Sequence, residues 1–132
     1  MQTSKQANHN TKTDDSQITG GCYCGAVQYQ VLAPAKWCAH CHCDQCRQLQ
    51  GSPVVTWFGV SKDNFKYLNG EQYVTWYQSS EQAKRGRCVD CGTPMFFIGD
   101  NWADEVHITR ESTQQDIQKL PHRHVFYDRH VS

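Results

Sequence analysis

Two pairs of cysteines have the spacing of metal ligands. Cys22 and Cys24 form a C-x-C pair, and Cys88 and Cys91 form a C-x-x-C pair. A structural zinc takes four ligands at the corners of a tetrahedron, commonly thiolates, and each pair supplies two of them. We therefore expect these four cysteines to hold one structural zinc. Because such a site joins distant parts of the chain, it would reduce the entropy of the unfolded state and stabilise a small domain.

Three further cysteines, Cys41, Cys43 and Cys46, form a C-x-C-x-x-C cluster. Three protein ligands and one open position are typical of a catalytic zinc, so we predict a second, reactive zinc here. In an extended segment Cys41 and Cys43 point to one side and the eighth cysteine, Cys38, points to the other, which favours the open site. The alternatives are closure by Cys38, by a nearby histidine or by a more distant ligand, an iron–sulfur cluster, a disulfide, and a site without metal.

An open zinc with three thiolates favours sulfur chemistry. Such a zinc is electron-rich and is therefore a weaker Lewis acid than a zinc held by neutral imidazoles, but it can still bind a thiol and remove its proton. The resulting thiolate can form a carbon–sulfur bond with a neighbouring electrophile. Hydrolysis usually requires an acidic side chain as a base beside the metal. Asp44 is the only acidic residue within the cluster, and we interpret it as the N-cap of a helix.

The segments that carry these cysteines have the pattern of short β-strands. Apolar and polar residues alternate in Ala26–Leu32, and Asn69-Gly70 lies between two β-rich runs, which predicts a two-residue hairpin. Helical turns are predicted only at Asp44–Gln50 and Glu111–Gln118. We therefore expect an all-β or β-dominated fold. Further strands are predicted at Pro53–Val60, Pro94–Ile98, Glu105–Thr109 and His124–Tyr127.

Length and composition favour one domain without a nucleic-acid or membrane partner. The chain has 132 residues, the size of one domain. Residues 1–19 are polar, so we predict a disordered tail followed by a single zinc-binding β domain over residues 20–132. Lys plus Arg and Asp plus Glu both number 13, whereas a nucleic-acid or anionic-membrane binder usually has a basic excess. With no apolar run of bilayer length and no apolar N-terminal signal, we expect a cytoplasmic protein with reduced thiols.

Three motifs follow one another along the chain: Gly20-Gly21-Cys22-x-Cys24-Gly25, Cys41-His42-Cys43-x-x-Cys46-Arg47 and Cys88-x-x-Cys91-Gly92-Thr93. Their order and spacing resemble those of the glutathione-dependent formaldehyde-activating enzyme family, which includes relatives of centromere protein V. The similarity runs roughly from Gly20 to Arg129. It implies a zinc-bearing complex β fold like that of a Rab exchange-factor family, built as two layers or a distorted barrel.

The resemblance also implies site residues and a reaction. The four paired cysteines would hold the structural zinc and the C-x-C-x-x-C cluster the reactive zinc, giving two zinc ions per chain with the second more easily lost. The family reaction joins glutathione to formaldehyde as S-hydroxymethylglutathione and is classified in reverse as a carbon–sulfur lyase. The implied partners are therefore a small thiol, with glutathione as co-substrate, and an aldehyde.

Other polar residues have one chemical and one structural interpretation. Arg47 matches the family and could form a bidentate pair with a glutathione carboxylate, or donate to backbone carbonyls near the cysteines. The basic run Lys84–Arg87 could contact a phosphate or a substrate carboxylate, but we interpret it as a solvated turn. His42 could bind the metal, although packing or solvent exposure is expected for it. His124 could line the site, although a structural role is expected.

Two other functions remain open from the sequence. A non-catalytic zinc β module that binds a protein partner predicts a closed or metal-free second site and an exposed apolar patch. A thiol-redox or metal-handling protein predicts reversible disulfides among Cys38, Cys41, Cys43 and Cys46. The sequence contains no indication of the oligomeric state.

Overall fold

A computed structural model describes residues 16–131, which form two β-sheets that do not close into a barrel. The strands are β1 (Gln17–Gly21), β2 (Gln28–Leu32), β3 (Trp37–Cys41), β4 (Val55–Ser61), β5 (Phe65–Asn69), β6 (Val74–Ser80), β7 (Ala83–Cys88), β8 (Pro94–Gly99), β9 (Glu105–Thr109) and β10 (His124–Val125). The small sheet has the order β1-β2-β5, and the large sheet has the order β10-β3-β4-β9-β8-β7-β6. The α-helix in this part of the chain, α1 (Asp44–Gln50), follows β3.

This architecture confirms the predicted β-dominated, two-layer fold class. The pairing is antiparallel throughout the described sheets except at β10, which lies parallel to β3. The predicted helical turn at Asp44–Gln50 is present as α1. No helix within residues 16–131 is long and apolar enough to cross a bilayer.

The main hydrophobic core lies between the two sheets. Tyr29 of β2 and Phe96 of β8 pack edge to face with their ring centroids 5.5 Å apart, and both are almost completely buried. Cys38, Phe58 and Ile108 lie in register on β3, β4 and β9 and belong to the same core. Because successive side chains on a strand point to opposite faces, their neighbours on these strands face outward.

The outer face of the large sheet carries a second buried cluster. Trp57, the neighbour of Phe58 on β4, packs against Phe97 of β8 with ring centroids 6.1 Å apart. Cys41 at the end of β3 lies opposite Val55 of β4, and α1 adds a buried cysteine. The members of this outer cluster are Cys41, Cys46, Val55 and Trp57, with Trp37, Cys43, Phe97 and Val125 packed against them.

The predicted hairpin at Asn69-Gly70 is wrong. β5 ends at Asn69 and pairs with β2 in the small sheet, whereas β6 pairs with β7 in the large sheet. Gly70 has a φ of 83°, and a Cβ atom there would lie 1.8 Å from the carbonyl oxygen of Ala26. The dipeptide therefore does form a turn that requires glycine, but this turn sends the chain from one sheet to the other.

Other segments also differ from the sequence prediction. The strand predicted at His124–Tyr127 ends at Val125, and Tyr127 begins a 3-10 turn. β1 begins at Gln17, so residues 17–19 of the predicted tail form a strand in which Ile18 opposes Val31 and is buried. Residues 1–15 lie outside the described residues, and the disorder predicted for them stays a prediction. The helix predicted at Glu111–Gln118 is absent: a 3-10 turn over Arg110–Ser112 is followed by irregular chain.

Candidate metal centres

Four cysteines from two distant parts of the chain form one cluster, which we call the quartet. Its members, Cys22, Cys24, Cys88 and Cys91, have all their sulfur atoms within 4.8 Å of one another. The Cys22 and Cys24 sulfurs are 3.6 Å apart, and those of Cys24 and Cys88 are 3.8 Å apart. A tetrahedral zinc with bonds of about 2.3 Å separates its sulfur ligands by about 3.8 Å. The quartet therefore has the spacing that a closed, four-thiolate metal site requires.

Backbone and hydroxyl groups around the quartet are arranged to support thiolates. The amide of Val27 donates to Cys22 Sγ at 3.2 Å, and the amide of Cys91 donates to Cys88 Sγ at 3.4 Å. Burial raises the pKa of Cys91, but hydrogen bonds from Thr93, the Cys24 backbone and the Cys88 thiol outweigh it and bring this pKa to about 6. Such groups outside the ligand set orient metal ligands and tune their charge.

The C-x-C-x-x-C cysteines form a second cluster, which we call the triad. Cys41 lies at the end of β3, Cys43 is the N-cap of α1, and Cys46 lies in the first turn of this helix. Their sulfur atoms lie within 4.8 Å of one another, and no fourth Cys, His, Asp or Glu of residues 16–131 joins them within that distance. Cys38 lies on the opposite face of β3, in the core between the sheets. The described chain thus supplies three ligands at the triad, and a fourth would have to come from outside it.

The local fold of the triad corrects the interpretation of Asp44 as an N-cap. The N-cap is Cys43, whose sulfur accepts a hydrogen bond from the Cys46 amide at 3.3 Å. Asp44 is the first residue of α1 and forms ion pairs with Arg47 and with Arg129 near the end of the chain. The sulfur of Cys43 can take the capping role because it accepts the otherwise unpaired amide hydrogen of the first turn.

Arg47 is anchored beside the triad. Its Nε donates to the carbonyl oxygen of His42 at 3.2 Å, and its Nη2 donates to Asp44 at 2.7 Å. This carbonyl contact is the structural alternative considered for Arg47. Its role toward glutathione stays a prediction.

Sequence reasoning missed Arg85. The run Lys84–Arg87 lies in β7 and is not a solvated turn. Arg85 donates through Nη1 to Cys46 Sγ at 3.4 Å and through Nη2 to Gln45 Oε1 at 3.3 Å. The alternation of a strand places Arg85 and Lys84 on opposite faces, but no local signal reveals that the face of Arg85 is the face of the triad.

The two buried thiols of the triad differ in their affinity for a proton. The hydrogen bond from Cys41, followed by those from Arg85 and Cys43, lowers the pKa of Cys46 to about 5 despite its burial. The same hydrogen bond with Cys46, together with burial, raises the pKa of Cys41.

A group of histidines lies where β10 pairs with the edge of β3. β10 pairs with β3 so that His124 lies opposite His40, and His124 Nδ1 is 2.8 Å from His42 Nε2. His42 is buried, and its ring also contacts Tyr127 and His130. Neither His42 nor His124 joins the triad as a fourth ligand in the described chain.

A cavity of about 1090 Å³ lies elsewhere, at the quartet end of the molecule. Cys22, Cys24 and Val55 are among its lining residues, and no triad cysteine lines it. A ligand that reaches the triad sulfurs therefore approaches by another route.

The comparisons with known proteins agree with this arrangement. The family model described as glutathione-dependent formaldehyde-activating enzyme matches residues 17–129. A Halomonas elongata protein, provisionally named as such an enzyme, is 24% identical over 113 residues, which are 80% of this chain and 71% of that protein. An uncharacterized lyase of Schizosaccharomyces pombe is 29% identical over 85 residues, which are 64% of this chain and 60% of the relative.

A solved structure supports the fold. The crystal structure of a Rhodobacter sphaeroides protein superposes with a TM-score of 0.63 at 20% identity, covering 78% of this chain and 97% of that one. At this identity the similarity concerns the fold alone. The family model, in contrast, spans the described strands and both cysteine clusters. This chain therefore belongs to the glutathione-dependent formaldehyde-activating enzyme family.

Proposed function

We propose that this chain adds the thiol of glutathione to formaldehyde, with zinc held by the triad. The observation that carries the proposal is the triad itself: three sulfur atoms within 4.8 Å of one another, and no fourth protein donor at that distance among residues 16–131. Membership of the family supplies the substrate class. The quartet, at the other end of β7, is assigned to a second, structural zinc.

The donor sets fit zinc in both places. Thiolates are soft ligands that select zinc over harder divalent cations such as magnesium. The quartet completes a tetrahedron, whereas the triad leaves one position for an external ligand. Zinc bound at the triad would supply a Lewis acid that lowers the pKa of an incoming thiol.

The proposed reaction is an addition with no redox change. The sulfur of glutathione forms a bond to the carbonyl carbon of formaldehyde, the π electrons of the carbonyl move to its oxygen, and the proton lost by the thiol ends on that oxygen. The product is S-hydroxymethylglutathione. The reverse reaction breaks the carbon–sulfur bond, which agrees with the description of the S. pombe relative as a lyase.

Arg47 is our candidate for holding glutathione. It lies directly after Cys46, and its Nε and Nη2 are engaged by His42 and Asp44. Nothing among residues 16–131 accepts from its Nη1, so this group can donate to a substrate carboxylate. A charge-assisted bond of this kind is stronger than a neutral one and would orient the tripeptide.

The test is a rate measured above the uncatalysed background. Glutathione and ¹³C-formaldehyde are mixed with the zinc-loaded chain, and the exchange rate between free aldehyde and S-hydroxymethylglutathione is measured by NMR. We expect acceleration by the wild type, loss of this acceleration in Cys46→Ser, and its retention in Cys38→Ser. A zinc-loaded wild type that does not exceed the background would overturn the proposal.

Zinc-edge X-ray absorption gives a second, independent test. Addition of glutathione should raise the average number of sulfur neighbours per zinc if the triad accepts an external thiol. Two closed sites that do not respond to glutathione would favour a non-catalytic module that binds a protein partner.

A further inference from the structure

We infer that Arg85 is a positioning residue of the triad, which holds Cys46 as a ligand and balances the negative charge of the metal site. The inference rests on the proposed function because it concerns the metal that the triad would bind. It adds a residue from a strand that contributes no cysteine to the triad.

The geometry is that of a clamp on the first turn of α1. The two Nη atoms of Arg85 donate to consecutive residues of this turn, one to Gln45 Oε1 at 3.3 Å and the other to Cys46 Sγ at 3.4 Å. Gln45 also donates to the carbonyl oxygen of Ser79 in β6 at 3.1 Å. Both strands of the β6–β7 hairpin therefore contact α1. The guanidinium lies over the ring of Phe97, 5.2 Å from its centroid. Strand β7 therefore fixes where the Cys46 sulfur lies.

The charges explain why an arginine is needed. Three thiolates around a divalent cation leave one net negative charge, and a buried charge without a partner is unfavourable. Cys46 is only 3% exposed, so water cannot solvate its sulfur. Arginine stays protonated in proteins, so its guanidinium is a permanent counter-charge.

The surroundings of Arg85 point to the same role. Its Nε is buried and has no hydrogen-bond partner, which means that the side chain gives up one donor to keep its two Nη contacts. Within residues 16–131 no carboxylate forms an ion pair with Arg85. The acceptor that balances this half-buried cation is therefore the Cys46 sulfur.

The experiment measures metal affinity separately at the two sites of the full chain. The metal-free protein is titrated with zinc in competition with a chromophoric chelator, and with Co²⁺, whose thiolate absorption bands report the ligand geometry. The variants are Arg85→Met, Arg85→Lys and Lys84→Met. Lys84→Met is the matched control because it also removes one positive charge from β7. The Lys84 ammonium lies over Trp76, 4.7 Å from the ring centroid, and not at the triad.

We expect Arg85→Met to weaken zinc binding at the triad by about 10–100-fold, as loss of a group that orients a ligand does. Arg85→Lys should recover part of the affinity because it restores the charge but not both contacts. Zinc affinity at the quartet should be unchanged in all three variants. Lys84→Met should also bind zinc at the triad with wild-type affinity. Zinc binding at the quartet shows whether Arg85→Met folds. If it does not fold, the inference is tested with Arg85→Lys instead. Wild-type zinc affinity at the triad of Arg85→Lys would then overturn the inference.

Failure of the inference and failure of the proposed function give different results. A wild type that binds two zinc ions, with unchanged triad affinity in a folded Arg85→Met, overturns the inference and leaves the proposed function intact. A wild type that binds one zinc, at the quartet only, overturns both.

Discussion

Cys38 and Cys41 lie three residues apart on β3, yet their side chains point to opposite faces of the large sheet. Cys38 is fully buried between the sheets and lies in register with Phe58, whereas Cys41 faces outward beside Val55. The two sulfurs cannot bind one metal ion unless the strand turns over. Closure of the triad by Cys38 would therefore require β3 to leave the sheet.

Replacement of Cys38 by serine should leave the zinc content unchanged. It should lower the free energy of unfolding by about 1–3 kcal/mol, because a hydroxyl replaces a thiol in the core without an assigned hydrogen-bond partner. Elemental analysis and urea unfolding measure the two effects. Cys41→Ser is the comparison and should lower the zinc content. Loss of one zinc from a folded Cys38→Ser protein would contradict this geometry.

The quartet and the triad should differ in their effect on stability. Cys88→Ser removes a buried quartet ligand that joins the β1–β2 loop to the end of β7, so we expect it to abolish cooperative thermal unfolding. Cys46→Ser should lose one zinc and lower Tm by only a few degrees, because the triad ligands are close together in sequence. Calorimetry with elemental analysis measures both. Equal loss of stability would show that the two sites are both structural.

Glu105 should stabilise the fold at neutral pH and lose this effect in acid. It accepts hydrogen bonds from Lys36 at 2.8 Å, His107 at 2.9 Å and Trp37 at 3.2 Å. Burial raises its pKa, but these donors outweigh it, so the pKa of Glu105 is lowered. Because the folded pKa lies below the unfolded one, the stabilisation is present above about pH 4.3 and is lost as the pH falls through the folded value.

Glu105→Gln should therefore lower the free energy of unfolding by about 1–3 kcal/mol at neutral pH, with a smaller difference in acid. Urea unfolding of both proteins across this pH range measures the difference. Glu111→Gln is the control, because Glu111 is exposed and its ion pair with Arg110 contributes about 0–1 kcal/mol. A difference for Glu105→Gln that does not change with pH would contradict the assignment.

Gly70→Ala should destabilise the protein more than Gly51→Ala. Both glycines have positive φ, 83° and 61°, where an alanine is strained by about 1–2 kcal/mol. At Gly70 the new Cβ would also clash with the Ala26 carbonyl oxygen. At Gly51 no heavy atom of the described residues, apart from its chain neighbours, lies within 4 Å. Urea unfolding compares the two variants. Equal effects would mean that the close approach of Gly70 to the backbone before β2 relaxes at little cost.

The metal ligands could be predicted because their spacing is local. Cys41, Cys43 and Cys46 lie within six residues, and the end of a strand followed by a helix turn brings their sulfurs together whatever the remaining topology. The quartet needs one long-range assumption, that two ligand pairs share one metal, and tetrahedral coordination supplies it. The opposite orientation of Cys38 follows from the alternation of a strand in the same way.

Arg85 and Gly70 could not be predicted because their roles depend on which strands are neighbours. Arg85 reaches Cys46 only because the β6–β7 hairpin lies against α1 on the outer face of the sheet. The local sequence predicts the turn at Gly70. It does not predict that the chain crosses there from one sheet to the other, because this depends on the pairing of β5 with β2 and of β6 with β7. Pairing partners are a property of the whole chain and leave little trace within one segment.

The parallel pairing of β10 with β3 has a consequence for biosynthesis. His40 of the triad strand pairs with His124, so this edge of the sheet stays open until residue 124 has been synthesised. At about 5–20 residues per second, the interval between the two residues lasts several seconds on the ribosome. During that time the triad thiols lack the side of the sheet that later shields them. The triad thiols are therefore open to zinc and to oxidants during translation, before Val125 of β10 packs against the cluster that contains them.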